Sequence, residues 1–134
     1  MPLLRTRCIL SPRSPNDGVR ASVMSRHTLD DGKTPDRRIV SGVSFDDWRV
    51  GFSAPIRLIK DYVRGKISWE EYARQYVEFL REDGNAQCVS AFAKLCSRQV
   101  TTLLCIEESA DFCHRRLLAE EMARANPKLK IEHA

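Results

Sequence analysis

The residues best suited to chemistry lie between Leu103 and Glu120, where Cys105, Glu107, Cys113, His114 and Arg115 follow one another closely. Val100–Ile106 is a continuous β-branched and apolar run, followed by the polar turn Glu107-Glu108-Ser109-Ala110 and a helical pattern from about Asp111 to Asn126. Such a run reads as a strand buried on both faces of a parallel sheet. Open α/β sheets bind ligands at the carboxyl ends of their strands. The first turn of the next helix adds unpaired N–H groups and the positive end of a dipole, so an anion fits there. Arg115 and Arg116 can each grip a phosphate or carboxylate in a two-pronged fork, and a thiol at a helix start is acidified and made more nucleophilic. On this reading Cys113 is the candidate nucleophile, and His114 a base or hydrogen-bond donor. Glu107 positions a polar group or serves as a base, and Arg115 clamps the anion.

Two other readings use the same residues. Cys113 can pack inward while Arg115 and Arg116 cover the surface. Alternatively, Cys105, Cys113 and His114 can hold zinc, but no CxxC pair is present and only His27 and His133 remain as further histidines. The spacing therefore ranks a metal below an anion pocket, assigns no metal ligand and names no cofactor. The phosphatase spacing, a cysteine five residues before a helix-starting arginine, is absent. Cys105 is too far upstream, and Cys113 is next but one to Arg115.

Positioning these groups falls to a βαβ unit. Val100–Ile106, the helix and a last strand Leu129–His133 form it, with a right-handed crossover expected. Upstream, Leu3–Leu10 reads as a first strand, Ser11–Gly18 as a loop dense in turn formers, and Val19–Met24 as a second strand. The polar stretch 25–44 is long for a loop in a small domain and more often functional than inert. Three helices follow. One is capped by Ser53 and stopped by Gly65. The second opens on the capping box Ser68-Trp69-Glu70-Glu71 and ends at Asp83-Gly84. The third spans about Ala86 to Ser97. Trp69, Tyr72 and Tyr76 share a helical face and read as core. The expectation is a single α/β domain over 1–134. It is Rossmann-like and three-layered, with a mainly parallel sheet of about four strands and helices on both faces.

The chain has 134 residues, 43% hydrophobic and 30% charged, the balance of a soluble globular domain. No apolar run reaches the ~20 residues of a membrane helix, and the basic residues inside the first apolar stretch argue against a secretory signal. The net charge of +4 resides in residues 1–40, with Arg5, Arg7, Arg13, Arg20, Arg26, Lys33, Arg37 and Arg38 against four aspartates. This segment could meet a small anion. With few aromatics and no dense basic run, it is the weaker case for nucleic acid. The alternative function it supports is a nucleic-acid-binding or interaction module using 5–38 without catalysis. Five cysteines, an odd number, argue for reduced thiols and a cytoplasmic location. Cys88 and Cys96 read as buried packing residues.

Thr102–Glu107 followed by Cys113-His114-Arg115-Arg116-Leu117-Leu118-Ala119 resembles the "LLC-x-E … CHR-x-x-LA" signature of the family called domain of unknown function 488. Asp17-Gly18-Val19-Arg20 is similar to that family's Asp-Gly-x-Arg. Trp48 with Ser53 and Ile56-Arg57, and Trp69–Tyr72 with Tyr76, resemble two further segments. The likeness covers about residues 5–133. Short members continue after the second strand into Asp-Arg-x-Trp-Pro-Arg-Gly; here the stretch reads Ser25-Arg26-His27-Thr28-Leu29, and Arg26 alone corresponds. The resemblance implies an α/β domain in which Cys105, Glu107, Cys113, His114 and Arg115 share a site, with Arg20 and Arg26 facing it. It supplies no reaction. The combined expectation is an enzyme or binding protein for a small anionic ligand, nucleotide or phosphate-like, with Arg115, Arg20, Arg26 and Cys105 binding it.

Overall fold

The structure, a computed structural model, describes residues 3–134. Five strands form one parallel sheet in the order β3-β2-β4-β1-β5. They are β1 (Leu3–Cys8), β2 (Val19–Ser22), β3 (Asp47–Trp48), β4 (Thr101–Cys105) and β5 (Lys130–His133). β4 lies at the centre and is buried at every position, as its unbroken apolar run requires. Four helices complete the fold: α1 (Ile56–Val63), α2 (Trp69–Arg81), α3 (Asp83–Cys96) and α4 (His114–Ala125). None of the helices among the described residues is long and apolar enough to cross a membrane.

The α/β class and the parallel sheet are as expected. Strand number and helix placement differ. β3 is an added edge strand of two residues, too short to show any alternation in sequence. All four helices gather on one face. Side chains alternate across a strand, and those of Leu4, Ala21 and Leu103 share a core with Leu58, Tyr76, Phe92 and Leu118 from the four helices. Topology gives the reason. The connections β3→β4 and β4→β5 run across the sheet in one direction and carry every helix. β1→β2 and β2→β3 run the other way without one. Right-handed crossovers send the two sets to opposite faces.

The helix-free face is polar where it is deepest. Asp17 is fully buried and receives Arg5 at 2.7 Å, Arg20 at 2.7 Å and Arg7 at 3.1 Å. Thr102 donates its hydroxyl to the Asp17 carbonyl at 2.7 Å. Gly18 beside it has φ 62°, and a Cβ there would stand 2.1 Å from the Val100 carbonyl oxygen. Arg13 pairs with Asp46 and Arg38 with Asp36. Most arginines of segment 5–38 are thus bound to carboxylates, leaving Arg26, Lys33 and Arg37 without an ion-pair partner among the described residues.

Helix boundaries follow local chemistry. Ser68 caps α2 by accepting from the Glu71 amide at 3.1 Å, with Glu70 and Glu71 in the first turn and Arg81 in the last. Gly65, φ 74°, follows α1; the residue at its N-cap is Pro55, not Ser53. The break between α2 and α3 falls on extended Glu82, so Gly84 lies inside α3 instead of ending α2. α4 begins at His114, three residues later than expected, because Cys113 is still extended at φ −137°, ψ 138°.

Candidate functional site

The end of β4 supplies Cys105 and, just beyond it, Glu107; the start of α4 supplies Cys113 and His114. The extended backbone at Cys113, followed at once by a helical residue, lets the side chains of these two neighbours converge on Cys105. The Cys105 and Cys113 sulfurs and a His114 ring nitrogen lie within 4.8 Å of one another, all three residues buried. Cys113 donates its thiol to Glu107 Oε2 at 3.2 Å. His114 Nε2 stands 2.8 Å from the Val23 carbonyl, which can only accept, so Nε2 carries the ring proton. In the neutral ring Nδ1 is then a lone pair, 3.9 Å from Cys105 Sγ. The ring packs edge-on against Tyr76, centroids 5.4 Å apart, and Tyr76 is held by donating to the Phe52 carbonyl at 2.6 Å.

Electrostatics separate the two acids of this cluster. Burial, followed by the neighbouring Cys105, pushes the Cys113 thiol far above the ordinary thiol range, the opposite direction from the acidification expected of a thiol at a helix start. Partial burial also opposes ionisation of Glu107. Hydrogen bonds from the Cys105 and Cys113 thiols and the field of His114 outweigh it, holding the carboxyl below its usual range.

A cavity of about 180 Å³ opens beside the cluster. Cys105, Glu107 and His114 form its floor; Cys113, 1% exposed, lies behind them. Aromatic rings form the wall: Trp69 stacks on Tyr72 at 5.2 Å, Tyr62 lies 5.0 Å from Tyr72, and Phe112 meets Trp69 edge-on at 5.6 Å. Burial, then the nearby thiols and Glu107, push the Tyr72 hydroxyl up, keeping it a neutral phenol. Arg26 borders the cavity from the segment after β2 and is exposed. Gly32, φ 70°, lies under its guanidinium; a Cβ there would come within 2.7 Å of Nη1.

Of the residues singled out by sequence, Cys105, Glu107, Cys113, His114 and Arg26 come together here. Arg115 and Arg20 are engaged elsewhere. Arg115 is fully buried and turns back on its own loop, donating Nη1 to the Glu107 carbonyl at 2.7 Å and to Cys113 Sγ at 3.4 Å, with Nη2 on the Glu108 carbonyl. Its Nε is the one buried side-chain nitrogen or oxygen without a hydrogen-bond partner among the described residues. Arg115 therefore shapes the turn that carries Glu107. Arg20 sits on the helix-free face, its donors given to Asp17 and the carbonyls of Ser44, Ile9 and Ser11. Sequence reasoning passed over Tyr62, Trp69, Tyr72 and Phe112. The 69-72-76 stripe signalled a buried helical face, but not that its first two rings border a cavity while Tyr76 is core.

Over residues 4–126 the chain matches DUF488-N3a, described as the active DUF488-N3 subclade. It belongs to that family. The matched span includes the cavity residues described above, from Arg26 through Trp69 to His114, as well as Arg115, and leaves β5 outside. No significant match is found among curated proteins or among solved structures.

Proposed function

We propose that this DUF488 protein is an enzyme acting on a small, planar, anionic compound of nucleotide type, bound in the cavity at the end of β4. The observation that carries the reading is an aromatic wall facing a floor of reactive groups, with a lone guanidinium at the mouth. At about 180 Å³, the cavity falls short of the roughly 300–1,000 Å³ common for drug-sized ligands. It suits one ring system, with the rest of the molecule outside toward Arg26. Stacking on an aromatic side chain contributes about 1–3 kcal/mol per base. Arg26 takes the phosphate or carboxylate. Glu107, ionised, accepts a proton or orients a polar ring substituent, and His114 and Cys105 complete the floor. Cys113 acts behind them through Glu107, and Arg115 holds the turn. The family description as active supports an enzyme over a passive binder.

Thermal unfolding with nucleoside 5′-monophosphates, the matching nucleosides and inorganic phosphate tests this, because a ligand bound only to the folded state raises its melting temperature. Monophosphates should stabilise most. Arg26→Ala should remove their advantage over nucleosides, and Trp69→Leu should weaken both by about tenfold, the equivalent of roughly 1.4 kcal/mol. No stabilisation by any nucleotide, or inorganic phosphate equalling the monophosphates, overturns the proposal.

A further inference from the structure

The three donor atoms at the base of the cavity have a second property, independent of any organic ligand. We propose that Cys105 Sγ, Cys113 Sγ and His114 Nδ1 form a binding site for Zn²⁺, with Glu107 beside the side that faces the cavity.

The distances suit a common centre. With Zn–S near 2.3 Å and Zn–N near 2.1 Å, tetrahedral donors stand about 3.5–3.8 Å apart. Cys105 Sγ and His114 Nδ1 are 3.9 Å apart, and all three donors lie within 4.8 Å of one another. The histidine is already oriented as a ligand. Its Nε2 proton is committed to the Val23 carbonyl at 2.8 Å, and metal-bound histidines usually donate their other nitrogen in this way, fixing tautomer and ring. Charge also balances. Two thiolates and the Glu107 carboxylate carry three negative charges, matched by Zn²⁺ and the buried guanidinium of Arg115, whose Nη1 is 3.4 Å from Cys113 Sγ. Cys105 and His114 border the cavity and Cys113 lies behind them, so the cation would have three protein ligands and one approach from the aromatic chamber. That is the pattern of a catalytic rather than a structural zinc. The low rank given to zinc by sequence rested on the missing CxxC pair and the scarcity of further histidines. Here a strand end and a helix start stand in for the pair, and the set needs one histidine only.

Binding requires both thiols to lose their protons to solvent while the imidazole stays neutral. The experiment is titration of reduced, metal-free full-length protein with Co²⁺, then displacement by Zn²⁺, with no organic ligand present. One equivalent per chain should produce sulfur-to-cobalt charge-transfer absorption and the intense visible bands of tetrahedral cobalt, with proton release measured in weak buffer. Zn²⁺ should abolish both bands. Cys105→Ser and Cys113→Ser should lose the spectrum; Cys88→Ser should keep it. Should the buried-site variants fail to fold, the wild-type spectrum decides, since its charge-transfer band reports thiolate ligation directly. No saturable uptake of Co²⁺ or Zn²⁺, or a spectrum without the sulfur band, overturns the site. Repeating the nucleotide stabilisation in EDTA separates the two proposals, since nucleotide binding can survive when metal uptake fails.

Discussion

Thiol reactivity separates the cysteines by depth. Cys88 is exposed, while Cys8, Cys96, Cys105 and Cys113 are buried. Under native conditions a maleimide should therefore label Cys88 first, and Cys113 should label at least tenfold more slowly, read by peptide mass spectrometry over time. Comparable rates would show that the floor of the cavity opens readily. The sequence placed Cys88 with Cys96 in the core, and the helical register explains the difference. The buried stripe of α3 is Val89, Phe92, Ala93 and Cys96, an i, i+3, i+4, i+7 set, and Cys88 lies about 100° off its leading residue. The cluster itself was largely legible, because Cys105, Glu107, Cys113 and His114 sit at one strand-to-helix junction. The direction of Arg115 was not legible. A guanidinium at a helix start can face an incoming anion or its own loop's carbonyls, and only the path of residues 107–110 decides which.

At the scale of elements, the Asp17 cluster ties β1, β2 and β4 together on the helix-free face, through Arg5, Arg7, Arg20 and Thr102. Burial works against ionisation of Asp17, but the Ser14 amide and the Arg20 and Arg7 guanidiniums outweigh it, so its folded pKa lies below the ordinary value. A depressed carboxyl stabilises the fold above its unfolded pKa, and that contribution is lost as pH falls through the folded value. Wild-type stability should drop steeply below about pH 4. Asp17→Asn should cost roughly 3–5 kcal/mol near neutrality, since it strands buried cations, and should flatten the acid limb. Urea unfolding across pH measures both; an unchanged acid limb would assign the loss to other carboxylates. The Asp-Gly-x-Arg motif that pointed toward a ligand site thus supports the sheet here, with Gly18 admitting the Val100 carbonyl. The 3-4 spacing of Trp69, Tyr72, Ala73 and Tyr76 revealed α2, and an unbroken apolar run revealed β4. Neither signal could reveal β3, two residues fixed by their pairing with β2 and not by their own pattern.

Across the whole molecule, most of the positive charge of the N-terminal third is matched by carboxylates. Arg5, Arg7, Arg13, Arg20 and Arg38 face Asp17, Asp46 and Asp36, and of the basic residues in this third only Arg26, Lys33 and Arg37 lack an ion-pair partner among the described residues. Binding to duplex DNA or RNA at physiological salt should therefore be weak, below the affinity of a dedicated module, and shallow in salt dependence. Electrophoretic mobility and fluorescence anisotropy across a salt series check this; a steep slope with tight binding would restore the interaction-module reading. One hydrogen bond ties the start of α4 to the segment that follows β2. The Val23 carbonyl that fixes the His114 proton belongs to the strand end from which the chain continues through Met24 and Ser25 to Arg26. On the proposed function, an anion held by Arg26 would sit three residues from the oxygen that fixes the His114 tautomer, so occupancy of the entrance would alter the proton affinity of the imidazole.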